Sequence, residues 1–178
     1  MKDKTDMKPI MPSPETKGLT TELTGLDASG QPVTIPVVTE KPLTIYLNRQ
    51  EIVTSMTLGD QPEALAVGFL LNQNMLLQDD EITAIDYDDE LGVVIVRTKR
   101  ETDYEARLQK KVQTSGCAQG TVYGDIMDVF EGIRLDNELK IKASSLYNLS
   151  AKINQIPSLY LKAGAIHGCA LAVEDEPL

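Results

Sequence analysis

The stretch EKPLTIYLNRQEIVTSMTL, Glu40–Leu58, decides how this chain folds. It holds two runs rich in β-branched residues, LTIYLN at Leu43–Asn48 and EIVTSMTL at Glu51–Leu58, with an Asn48-Arg49-Gln50 step between them. β-Branched side chains fit the pleated surface of a sheet, and asparagine tolerates the backbone of a tight reversal. The stretch predicts a β-hairpin, with Pro42 separating it from an earlier strand, VTIPVV at Val33–Val38.

Working outward, GDQPEALAVGFLLNQNML at Gly59–Leu76 predicts a helix. Asp60 is the expected N-cap, Pro62 suits the first turn, and Glu63 completes an Asp-x-x-Glu capping box. The pairs Leu65/Phe69 and Ala66/Leu70 share one apolar face, and Asn72 and Asn74 mark the end. EITAIDYDDELGVVIVRT at Glu81–Thr98 predicts a second hairpin. Ile82, Ile85 and Val93–Val96 supply its strands, and Asp86–Glu90 with Gly92 its turn.

RTKRETDYEARLQKKVQ at Arg97–Gln113 reads as a basic helix carrying Arg97, Lys99, Arg100, Arg107, Lys110 and Lys111, followed by a loop, TSGCAQGT, at Thr114–Thr121. Ile126, Val129, Phe130 and Ile133 then recur at helical spacing. ASSLYNLSAKINQI at Ala143–Ile156 reads as a capped helix with Leu146, Leu149 and Ile153 on one side. SLYLKAGAIHGCALAV at Ser158–Val173 suggests two short strands around a glycine turn. Residues 1–18, rich in Pro and Lys, read as a mobile tail. Residues 19–135 form an α+β region that carries the cysteine loop, and 136–178 begin a second unit.

The formal charge of −10 over 178 residues repels phosphate backbones, and no basic stripe with interleaved aromatics is present, so nucleic acid is not an expected partner. Aromatic residues make up 4% with no Trp, which leaves the core to Leu, Ile, Val and Met. The longest apolar run, Ala163–Val173, is interrupted by His167 and falls short of the roughly 20 residues of a membrane span. The first residues lack a secretory apolar stretch, so the expected location is the cytoplasm, where thiols stay reduced.

Cys117 sits among Ser115, Gly116, Ala118 and Gly120, and four readings are open to it. Free Cys is commonly a small buried hydrophobe. A metal site would draw on Cys117, His167 and Cys169, though His167 is the only histidine and neither a Cys-x-x-Cys pair nor a His-x-Glu motif is present. A Cys117/His167 nucleophilic dyad rests on spacing alone. A persulfide carrier needs one exposed thiolate on a loop of small residues, which the preceding basic run would favour. Around His167, the small residues Gly164 and Gly168 allow another group to approach the backbone, which is compatible with a binding surface. The plainer reading of His167 is a hydrogen-bonded histidine at a strand turn, and Cys169, set among Ala and Leu, reads as core.

Taken in order, four segments resemble the FdhD family, the formate dehydrogenase accessory sulfurtransferases: EKPLTIYLN at Glu40–Asn48, LAVGFLLNQNML at Leu65–Leu76, SGCAQG at Ser115–Gly120, and AGAIHGCA at Ala163–Ala170 in place of a TGGxHxAA-like motif. The resemblance implies a cytoplasmic sulfur carrier with Cys117 as the persulfide cysteine. Such a carrier accepts sulfur from a cysteine desulfurase and passes it to the molybdenum (or tungsten) bis-guanine-dinucleotide cofactor of formate dehydrogenase. That cofactor is then the substrate handled, with no permanently bound cofactor and no metal. The implied fold is an N-terminal mixed sheet with helices, then the start of a cytidine-deaminase-like α/β unit. Gly164, His167 and Gly168 are the candidates here for contact with the dinucleotide.

The chain departs from the family pattern at three places. Many members carry a second cysteine where Gly120 stands, so a single-thiol mechanism is expected. Ala163-Gly164-Ala165 replaces Thr-Gly-Gly, and Cys169 replaces an alanine. The family also continues well past the histidine motif, whereas this sequence ends at Leu178. Either a fragment or a sheet completed by a second copy, as a homodimer, is expected on that ground. The rival reading is a non-catalytic scaffold in which Cys117 is inert.

Overall fold

A computed structural model describes residues 14–101, 111–113, 121–123, 140–173 and 175–177. The chain divides into two compact units, Glu40–Leu135 and a discontinuous one made of Met1–Thr39 with Asp136–Leu178. The architecture is mixed α+β, with short sheets and few helices among the described residues. No described helix is long and apolar enough to cross a membrane.

In the discontinuous unit, β1 (Thr20–Leu26) and β2 (Pro32–Val38) pair antiparallel, from Thr20 opposite Val38 to Leu26 opposite Pro32. The reversal is built on Asp27, whose carboxylate accepts from the amides of Ser29 at 2.8 Å and Gln31 at 2.9 Å. An Asp side chain that bonds its own downstream backbone is a turn former. β1 has no counterpart in the sequence reading, which found only β2: TTELTGL lacks a sustained apolar alternation. Pro14–Gly18, the described part of the expected tail, run mostly in turns, and the Pro14 carbonyl accepts a hydrogen bond from Lys162 at 2.9 Å.

The Glu40–Leu135 unit is built on the expected hairpin. Strands β3 (Lys41–Leu47) and β4 (Gln50–Thr57) pair antiparallel around Asn48-Arg49, with Asn48 at φ 55. Leu43, Ile45 and Leu47 are buried, and the residues between them are not. On β4 the register shifts opposite Ile45/Tyr46, and the neighbours Ile52 and Val53 are both buried. A bulge breaks the two-residue alternation, which is how consecutive residues reach the same core.

Helix α1 (Pro62–Asn72) has Pro62 in its first turn, as expected. Asp60 does not cap it. The N-cap is Gln61, left-handed at φ 49 and ψ 50, and no side chain bonds to the first turn. The helix begins one residue later than the capping box requires, which leaves Asp60 outside and Glu63 out of register. Of the expected apolar face, Ala66 and Leu70 are buried with Pro62, whereas Leu65 is exposed and Phe69 packs half-buried against the core. At the far end Asn74, at φ 51, reverses the chain, and the amides of Met75 and Leu76 both donate to the Leu70 carbonyl, at 2.9 and 3.1 Å. That reversal sends Met75 and Leu76 back into the core.

The second hairpin is β5 (Ile82–Asp88) and β6 (Val93–Thr98). Asp86 and Asp88 belong to the strand, so the turn is shorter than expected and spans 89–92. The two hairpins join in one sheet in the order β4-β3-β6-β5, with β3 and β6 parallel at its centre and both outer pairs antiparallel. Val94 and Val96 complete the core with β3, β4 and α1.

Beyond Thr98 the expected basic helix is corrected at both ends. Arg97 and Thr98 finish β6, and Lys111–Gln113 is a strand, β7, paired antiparallel with β8 (Thr121–Tyr123). Thr98 is kept in the sheet by its pairing with Ile82 and by the Asn48 side chain, which accepts from its amide at 2.8 Å. The rest of that helix, 102–110, and the helical spacing of Ile126–Ile133 lie outside the described residues.

Helix α2 (Ala143–Ile153) forms where expected, but Lys142 at its start is extended and supplies no side-chain cap. Leu146 is exposed, and Leu149 and Ile153 are half-buried. Lys152, in the last turn, donates to the Asp175 carbonyl at 2.8 Å and to Glu176 Oε1 at 2.5 Å. The expected strand after it is instead a short helix, α3 (Leu159–Ala163). Ser158 Oγ accepts from the Leu161 amide at 3.3 Å, Leu159 is buried, and Gly164 at φ 65 ends the turn. A serine cap and an anchored leucine outweigh the weak strand signal of Leu-Tyr-Leu. The two-residue strands β9 (Ala172–Val173) and β10 (Glu176–Pro177) close the described chain.

Candidate functional site

Cys117, where the sequence puts the expected chemistry, lies outside the described residues. What is described is the frame on either side of it. β7 and β8 pair with Gln113 opposite Thr121, so residues 114–120 connect two paired antiparallel strands. The cysteine segment is therefore entered from a strand and not from the basic helix expected before it.

A polar cluster sits at the end of β6. Arg100 forms a fork on Asp80, with Nε and one terminal nitrogen each 2.5 Å from a carboxylate oxygen. The same Asp80 carboxylate accepts from the Leu77 amide at 2.8 Å, and Arg100 reaches the Met75 carbonyl at 3.4 Å. Paired guanidinium and carboxylate planes give both strength and orientation. The Asp80 side chain is only 5% exposed, and its pKa is lowered to about 2. The Arg100 hydrogen bonds are the main cause, burial opposes them, and the Leu77 amide and the Arg100 charge assist.

Asn48 completes the cluster. Its side-chain oxygen holds the Thr98 amide, and its nitrogen donates to Thr98 Oγ1 at 3.1 Å and to the Arg100 carbonyl at 3.3 Å. The β3–β4 turn, the end of α1 and the start of β5 are thus tied to residues 98–100. In the sequence alone, Asn48 stands out only as a turn residue and Arg100 only as part of a charge run. Nothing local in the sequence pairs Asp80 with Arg100, because the pairing exists only once α1 and β6 share a core.

Gly164, His167, Gly168 and Cys169 lie between α3 and β9, in the other unit. His167, Gly168 and Cys169 are exposed. Cys169 is a free thiol on the surface, which corrects its reading as core. Ala-rich sequence alone does not bury a residue when no apolar partner packs on it. Gly164 bonds back to the Tyr160 carbonyl at 2.8 Å, and Ala165 after it is also left-handed at φ 56. Chain neighbours aside, a side chain added at Gly164 or Gly168 would meet no atom of the described residues within 4 Å, so the backbone there is open to approach among them. Among the described residues, no three His, Cys, Asp or Glu side chains are placed to hold a metal ion.

A hollow of about 200 Å³ opens over the β3–β4 and β5–β6 ends, lined by Lys41, Pro42, Tyr87, Asp89 and Leu91 among others. The Tyr87 hydroxyl donates to Asp89 at 2.8 Å, and that bond raises its pKa.

Comparison with known proteins follows the same span. A family model described as the FdhD/NarQ family matches residues 38–178, which take in the cysteine segment and the His167 loop. A relative from Shouchella clausii named Sulfur carrier protein FdhD is 25% identical over 154 residues, covering 83% of this chain and 57% of that protein. A Bacillus subtilis protein of the same name is 29% identical over 136 residues, covering 76% and 52%. The chain thus spans little more than half the length of these relatives. The crystal structure of a putative formate dehydrogenase accessory protein from Desulfotalea psychrophila matches with a TM-score of 0.56 at 19% identity, over 89% of this chain and 58% of that one. At that identity the likeness is one of fold.

Proposed function

From the premise that the chain belongs to the FdhD/NarQ family, we propose that it is a cytoplasmic sulfur carrier serving formate dehydrogenase, with Cys117 as the thiol that carries the sulfur. Its thiolate attacks the terminal sulfur of a cysteine desulfurase persulfide. The donor's sulfur–sulfur bond breaks, the donor cysteine leaves as a thiolate, and Cys117 retains the persulfide, so electrons balance without an outside oxidant. The outer sulfur then passes to the molybdenum (or tungsten) bis-guanine-dinucleotide cofactor, which is substrate and not resident group. The Cys117 sulfur–sulfur bond breaks, a thiol reductant supplies the two electrons that bring the sulfur to the sulfide level, and Cys117 returns as a thiolate. His167 and Gly168 are exposed, Gly164 is half-buried, and the three form a stretch that suits contact with that dinucleotide. Residues 136–178 belong to the deaminase-like half in this reading.

The observation that carries the reading is the position of Cys117. It lies in a run of small residues, inside the matched span, on the segment that joins two paired strands. Gly120 leaves that connection with a single thiol, so the mechanism uses one cysteine.

The test is mass spectrometry after incubation with a cysteine desulfurase and cysteine. The peptide containing Cys117 gains one sulfur atom, removable by a thiol reductant. Cys117→Ala loses the adduct and support of formate dehydrogenase, while Cys169→Ala keeps both. Sulfur found on Cys169 alone overturns the assignment. Support of the dehydrogenase by Cys117→Ala, with no sulfur on the protein, establishes the scaffold reading instead.

A further inference from the structure

We draw no further inference here: the strongest candidate, the exposed apolar face that Leu23, Val33 and Ile35 form on the β1–β2 hairpin, carries nothing because no feature of the structure shows what covers it.

Discussion

Gly92→Ala is expected to destabilise the Glu40–Leu135 unit by about 2–5 kcal/mol, through two separable effects. Gly92 has φ 63, a left-handed backbone that costs an L-residue about 1–2 kcal/mol. A Cβ at this position would also lie 2.6 Å from the Pro42 carbonyl oxygen, closer than such contacts allow. Pro42 cannot withdraw easily. It sits on the central strand β3, opposite Met56 of β4, and the Thr44 amide beyond it bonds to the Gly92 carbonyl at 2.8 Å. Relieving the clash means moving β6 away from β3, an overpacking cost of about 1–3 kcal/mol. Gly59→Ala is the internal control in the same unit. Its φ is 72, but its Cβ would meet only the Lys41 side chain, at 3.2 Å, which can swing aside. That variant should show the backbone strain alone. Urea unfolding followed by circular dichroism, with amide exchange of β3 and β6 to report this unit, gives both values. If the two variants lose equal stability, the close approach of β6 to Pro42 does not hold.

Four further outcomes are expected. Asp80 binds as a carboxylate with a pKa near 2 against an ordinary 3.8, so its stabilisation is complete above the unfolded value and is lost as pH falls from about 4 toward 2. The full shift corresponds to about 2.4 kcal/mol, which the solvent around Arg100, 41% exposed, reduces to about 1–2 kcal/mol. Asp80→Asn should flatten the acid limb of the stability profile, and parallel limbs in variant and parent would refute the clamp. Asn48→Ala should lose about 1–3 kcal/mol in denaturant unfolding, from φ strain and from freeing the half-buried Thr98 amide, and a neutral result would sink that account. Gly68→Ala should gain about 0.5–1 kcal/mol, because it lies inside α1 and its Cβ would meet nothing within 4 Å; any loss would mean the outer face of α1 is covered. Cys169→Ala should shift stability by no more than about 0.5 kcal/mol, since the thiol is exposed; a larger loss in thermal unfolding would restore the core reading.

The candidate site was legible in part. Its small-residue cysteine run and the His167 loop stand out in the sequence, because small residues around a nucleophile are a local pattern. The frame around them is not local. The helix expected before the cysteine run reads from spacing alone, yet its first residues extend β6 and its last form β7. Strand pairing supplies hydrogen bonds that an isolated basic segment cannot weigh against its own helix propensity. The same holds for Leu159–Ala163, where one serine cap and one buried leucine decided between helix and strand.

What the sequence by itself determined is the set of local elements: the hairpin turning at Asn48, the helix opened by Pro62 and ended near Asn74, the hairpin closed before Val93, and the helix from Ala143. Each rests on turn chemistry and periodicity within about a dozen residues, which are properties of the chain alone. Only the tertiary structure decided that β3 and β6 run parallel and fuse the two hairpins, that Ile52 and Val53 share the core through a bulge, and that Asp80 meets Arg100. It also decided that Asp60 stands outside its helix and that Cys169 faces solvent. Each of these depends on which distant segments exclude water together, and that burial is settled by non-local pairing rather than by any stretch read alone.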